Sequence, residues 1–101
     1  MLKVKDKYDY RRELCDALRS GKYTQVRGGD MGMKMEDNRA CVLGVAAHIF
    51  NISTSNISNY HDYRNVYEKL GITIEQGRDI YRANDMGKSF YCLVKYIEEL
   101  P

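Results

Sequence analysis

Apolar positions along the chain fall into separated runs, and the spacing inside each run predicts an element. Tyr10, Leu14, Ala17 and Leu18 recur at helical intervals while Arg11, Arg12, Glu13, Asp16 and Arg19 face elsewhere, which predicts a first helix from about Tyr8 to Ser20. Gly21 fits the left-handed residue that commonly closes a helix. Lys22 to Val26 carries Tyr, Thr and Val, suited to a short strand, and Gly28-Gly29 interrupts it. Met31, Met33 and Met35 then alternate with Gly32, Lys34 and Glu36, the pattern of a second strand returning against the first as a small hairpin.

Asp37 or Asn38 can accept hydrogen bonds from the free amides of a helix carrying Ala40 to Phe50. Val42, Leu43, Val45, Ala46, Ala47, Ile49 and Phe50 cover nearly its whole circumference, so this helix should be central. After a polar loop over Asn51 to Asn59, the residues Tyr63, Val66, Tyr67 and Leu70 mark one face of a third helix ended by Gly71. Thr73-Ile-Glu-Gln76 has the form of a capping box and opens a fourth helix that fades near Asn84. Asp85-Met-Gly87 reads as a turn, and Ser89 caps a closing helix with the stripe Phe90, Leu93, Val94, Ile97 and Leu100. The expected fold is α+β and mainly helical, with about four to five helices and one short β-hairpin in a single domain over residues 1–101.

Composition narrows the function classes. A chain of 101 residues supports one modest core, which favours a shallow surface site over a deep, separately walled cleft. With 44% hydrophobic and 30% charged residues it has the profile of a globular domain rather than of a disordered or membrane chain. The longest apolar stretch, Ala40 to Phe50, is interrupted by Gly44 and His48 and falls short of the roughly 20 residues that a membrane span needs. The opening Met1-Leu-Lys-Val-Lys-Asp-Lys is basic without an apolar run behind it and does not read as a signal peptide, so a cytoplasmic location is expected. Cys15, Cys41 and Cys92 are odd in number and far apart, which indicates reduced thiols and neither a disulfide framework nor a metal site. No cofactor is expected.

The net charge of +2 is too mild to argue for nucleic acid by itself, but its distribution matters. Lys3, Lys5, Lys7, Arg11 and Arg12 oppose only Asp6 and Asp9, and Arg19, Lys22, Arg27, Lys34 and Arg39 oppose Asp30, Glu36 and Asp37. Any basic face therefore has to draw on the first forty residues.

Three segments stand out together: Arg19-Ser-Gly-Lys-Tyr-Thr-Gln25, Cys41-Val-Leu-Gly-Val45 and Asn84-Asp-Met-Gly-Lys-Ser-Phe90. In this order they resemble a family of small proteins from bacteriophages, prophages and bacteria, whose pattern is Arg-Ser-Gly-x-Tyr-x-Gln, a Cys-rich segment ending Leu-Gly-Val, and Asn-Asp-x-Gly-x-Ser-Phe. Val42 stands where that family usually has a second cysteine, and Val26 where a glycine commonly follows the glutamine. The resemblance implies context rather than chemistry: small phage proteins often inhibit host factors or defence components, and no activity is carried onto these residues.

Several candidate sites compete. Cys41 lies near a predicted helix N-terminus, where a thiol pKa falls, and Gln25 would serve as an oxyanion donor, but His48 sits two turns along the same helix and leaves only His61 as a base. The simpler reading makes Cys41 a small apolar residue of a buried helix. Arg19, Lys22, Tyr23, Arg27 and Lys34 would suit phosphates and a stacked base, yet no nucleic-acid motif accompanies them, and a solvated basic loop explains them as well. Gly28, Gly29 and Gly32 permit an anion cradle for a nucleotide signal, without a Walker or dinucleotide pattern. Asn84 and Asp85 read as local caps of the turn before Ser89 rather than as acid–base or metal groups. The favoured expectation is a non-enzymatic protein that occupies the surface of a host or defence protein through Arg19, Lys22, Tyr23, Gln25, Arg27 and Lys34. A nucleotide-binding sponge ranks second, direct nucleic-acid binding lower, and a Cys41-dependent enzyme last.

Overall fold

A computed structural model describes residues 4–27, 35–53 and 63–101. The chain runs α1 (Lys7–Arg19), β1 (Thr24–Gln25), β2 (Arg39–Ala40), α2 (Val42–Ile49), α3 (Arg64–Leu70), α4 (Ile74–Asp85) and α5 (Phe90–Glu98). The fold is α+β and mainly helical, as the periodicity predicts.

α2 is the centre. Residues Val42 to Ala47 are all buried, because apolar or small side chains surround the helix and α1, α3 and α4 pack on it from different sides. α1 buries Leu14, Cys15 and Leu18 and lies against α5, whose stripe of Phe90, Leu93, Val94 and Ile97 faces inward. The helix starts follow local chemistry. Asp6 and Asp9 form a reciprocal capping box at α1, Thr73 and Gln76 form another at α4, and the Ser89 hydroxyl accepts from the Cys92 amide at α5.

Close packing fixes two glycines. Gly71 ends α3 with φ +65°, and Gly77 lies so near the Tyr67 ring that a Cβ there would come within 2.4 Å of its Cε1. Above Gly71, the buried Arg11 side chain joins three elements. Its Nε donates to the Leu70 carbonyl at 2.8 Å, Nη2 to Gly71 at 3.3 Å, and Nη1 to Leu100 and Pro101 at 3.2 and 2.9 Å. The cation is thus held by carbonyls at the C-terminal ends of α3 and α5, where the helix dipoles favour positive charge.

The sheet differs from the expected hairpin. β1 pairs with β2 in parallel, Thr24 opposite Arg39 and Gln25 opposite Ala40, with the Thr24 amide donating to Asn38 and the Val26 amide to Ala40. The reason is a tight turn just ahead of β2. Asp37 and Asn38 have φ of +53° and +61°, and Glu36 and Arg39 exchange backbone hydrogen bonds across them, the geometry of a type I′ turn. This turn reverses the chain immediately before Arg39, so that it enters β2 in the direction of β1. Asp37 and Asn38 are therefore turn residues rather than caps of α2; the cap position belongs to Cys41, and Ala40 belongs to β2 rather than to the helix. Met31, Met33 and Lys34 of the expected returning strand lie outside the described residues.

Candidate functional site

The three sequence segments meet in space, and the contact that unites them is a pair of amides. Asn84, at the end of α4, is 0% exposed. Its Oδ1 accepts from the Val42 amide at 3.2 Å and from Gln25 Nε2 at 2.9 Å, while its Nδ2 donates to the Val26 carbonyl at 2.9 Å. Gln25 completes the set. Its Nε2 also donates to the Lys88 carbonyl at 2.7 Å, and its Oε1 accepts from the Phe90 amide at 3.1 Å. Asn84 therefore caps α2 from another helix, and Gln25 caps α5 from β1, each satisfying an amide that its own helix leaves free. The expectation of a purely local cap at Asn84 is corrected: the nearest long-range acceptor contact spans 42 positions of sequence.

This knot forms the base of an exposed tip. Arg27, two residues beyond Gln25, is exposed and donates from Nη2 to the Gly87 carbonyl at 3.1 Å, which ties the strand exit to the turn between α4 and α5. On that turn Met86 is 83% exposed, Lys88 is exposed, and at the start of α5 Tyr91 is 66% exposed with Lys95 Nζ over its ring at 4.9 Å. Among the described residues, neither Arg27 nor Lys88 has a carboxylate partner. Met86, Lys88 and Tyr91 were not among the candidates drawn from sequence. The available signal was negative, since each falls off the apolar stripe of its neighbouring helix.

The sequence candidates separate into distinct environments. Lys22 is exposed, its Nζ above the Tyr23 ring at 5.5 Å. Tyr23 is half-buried, edge-on to His48 with ring centres 5.9 Å apart. Gln25 is half-buried and its amide is engaged inside the fold. Arg19 leaves the loop altogether: it pairs with Glu98 of α5 and with Asp16, and the hydrogen bond to Glu98 is the main reason its pKa is raised. Lys34 and the glycines 28, 29 and 32 of the anion-cradle reading lie outside the described residues.

Cys41 is 1% exposed at the head of α2. Burial pushes its thiol pKa up, and the Gly44 and Leu43 amides together with the Tyr63 hydroxyl offset this only in part. The same burial pushes the Tyr63 hydroxyl up. A nucleophilic cysteine needs the thiolate, which this environment disfavours. His48 is exposed near the other end of α2, facing Tyr23, and His61 lies outside the described residues. Among the described residues, no group of three or more His, Cys, Asp or Glu could hold a metal ion, and no helix is long and apolar enough to cross a membrane. Compared with protein-family models, with curated proteins and with solved structures, the chain matches none.

Proposed function

We propose that the chain is a small non-enzymatic binding protein, of phage or prophage origin, that acts by occupying the surface of a host or defence protein. The observation that carries this reading is the tip: an exposed methionine and an exposed tyrosine stand beside cations without carboxylate partners, all mounted on the Gln25–Asn84 knot. Tyr, Met and Arg are the residue types enriched where protein surfaces meet, and a rigid support lowers the ordering cost of binding. The phage context comes from the three-segment resemblance and from nothing else. Lys22, Arg27 and Lys88 are the side chains to which the contact is assigned, with Met86 and Tyr91 supplying apolar area.

The test compares wild type with the Lys22→Ala, Arg27→Ala, Lys88→Ala triple variant, tagged and passed over bacterial host lysate. A partner retained by wild type and lost from the variant at an unchanged melting temperature supports the reading. Equal retention removes the tip from the contact. A parallel thermal-shift screen with nucleotides distinguishes the sponge, since saturable stabilisation by a nucleotide, and not by a protein, would replace this proposal.

A further inference from the structure

A second surface lies between α1 and α5. The two helices leave a groove of about 290 Å³. Its floor is made of the Cys15 thiol and the side chains of Ile97 and Leu100; the thiol is buried, points a weak hydrogen bond at the Val94 carbonyl, and has its pKa pushed up to about 11 by burial first, then by Glu98. The floor is therefore uncharged and apolar. Its walls are not. Arg11, Arg12 and Arg19 line the groove against a single glutamate, Glu98, which Arg19 already holds. Arg11 is engaged with the backbone oxygens of Leu70, Gly71, Leu100 and Pro101, and the exposed Arg12 has no hydrogen-bond or ion-pair partner among the described residues. At one end the Tyr8 ring, half exposed, is flanked by the Arg11 guanidinium at 5.4 Å and Lys7 Nζ at 5.2 Å.

We infer that this groove binds an acidic peptide segment of a partner protein, with a carboxylate on Arg12 and an aliphatic side chain beside it on the Cys15, Ile97 and Leu100 floor. The commitment to an acidic occupant rests on charge. Arg19 is held by Glu98 and Asp16 and Arg11 by backbone oxygens, which leaves Arg12 as the guanidinium that an incoming carboxylate meets without displacing any existing partner. The commitment to peptide rests on the floor. A nucleic acid would present phosphates to a continuous run of cations, whereas here the cations flank an apolar trough and Glu98 repels a polyanion from one wall. Helix-pair grooves that take amphipathic segments combine these features: apolar anchors below and charged edges that set register. This site is independent of the tip, which lies around the α4–α5 turn.

The experiment is fluorescence anisotropy of the full chain with a labelled peptide of alternating glutamate and leucine. The same peptide with glutamine replacing glutamate and a single-stranded oligodeoxynucleotide of matched charge serve as comparisons. Saturable binding of the acidic peptide is expected, weakening by about tenfold or more in Arg12→Glu, by less in Arg12→Gln, and steadily with rising salt. Amide resonances of Tyr8, Cys15 and Ile97 should shift on titration. The triple variant at the tip should bind this peptide as wild type does, which separates failure here from failure of the proposed function. Arg12 is exposed, so circular dichroism should show both variants folded. Unchanged affinity in Arg12→Glu, preference for the oligonucleotide, loss of binding in the tip variant instead, or no saturable binding would each overturn the inference.

Discussion

Gln25 and Arg27 stand two residues apart, as do Asn84 and Met86, yet each pair is divided between opposite environments. Gln25 and Asn84 are held inward by one hydrogen bond to each other and four to α2, α5, the α4–α5 turn and the strand exit, whereas Arg27 and Met86 project outward from the same backbone. The contrast lies in where polar groups find their partners. The polar groups that would be costly to bury unpaired are satisfied by one another directly beneath the tip, so the outward side chains need not contribute to stability. Stability is thereby assigned to the inward side chains of these short segments, and the outward ones are left for the contact proposed above.

That division predicts a graded set of substitutions. Asn84→Ala should have the largest effect, about 2–4 kcal/mol in urea unfolding, because it leaves the buried Val42 amide and the half-buried Val26 carbonyl without partners. A loss below about 1 kcal/mol would mean that the knot is not what holds the α2 start. Gln25→Ala should come next, at about 1–2 kcal/mol, since the site is half-buried and water can reach the Lys88 carbonyl and Phe90 amide that it frees. Were it as costly as Asn84→Ala, the knot would be a single cooperative unit rather than two linked caps; a double-mutant cycle reads that coupling directly. Met86→Ser and Lys88→Ser should shift unfolding by no more than about 0.5 kcal/mol in either direction. A larger destabilisation would place them in the fold and break the division.

How much of this was legible depended on range. α1, α5 and the Thr73–Gln76 box follow from intervals of three and four residues, and local spacing is what side-chain periodicity and capping chemistry report. The burial of α2 on all sides was equally plain from its composition. The hairpin was not, because alternation of Met31, Met33 and Met35 suggests a strand without naming its partner, and the Asp37–Asn38 turn that sets the parallel direction is indistinguishable in sequence from a helix cap. Gln25 illustrates the same limit at the site. The segment around it carries the exposed, charged Lys22 and Arg27, and only contacts 59 to 65 positions away turn Gln25 inward. Arg19 carries the converse lesson, since a partner 79 positions away draws it from the loop to the α1–α5 groove.

The Arg11 clamp has a consequence for the order in which the molecule is made. Its acceptors lie 59, 60, 89 and 90 residues downstream, and the α2 start likewise takes its cap from Asn84. During synthesis the first helix emerges with its charged side chain and its apolar face both lacking their partners, and no early portion of the chain can close a core of its own. Such long sequence separations make closure late and entropically demanding, so folding should follow release of α5 from the ribosome rather than proceed vectorially from the N-terminal end.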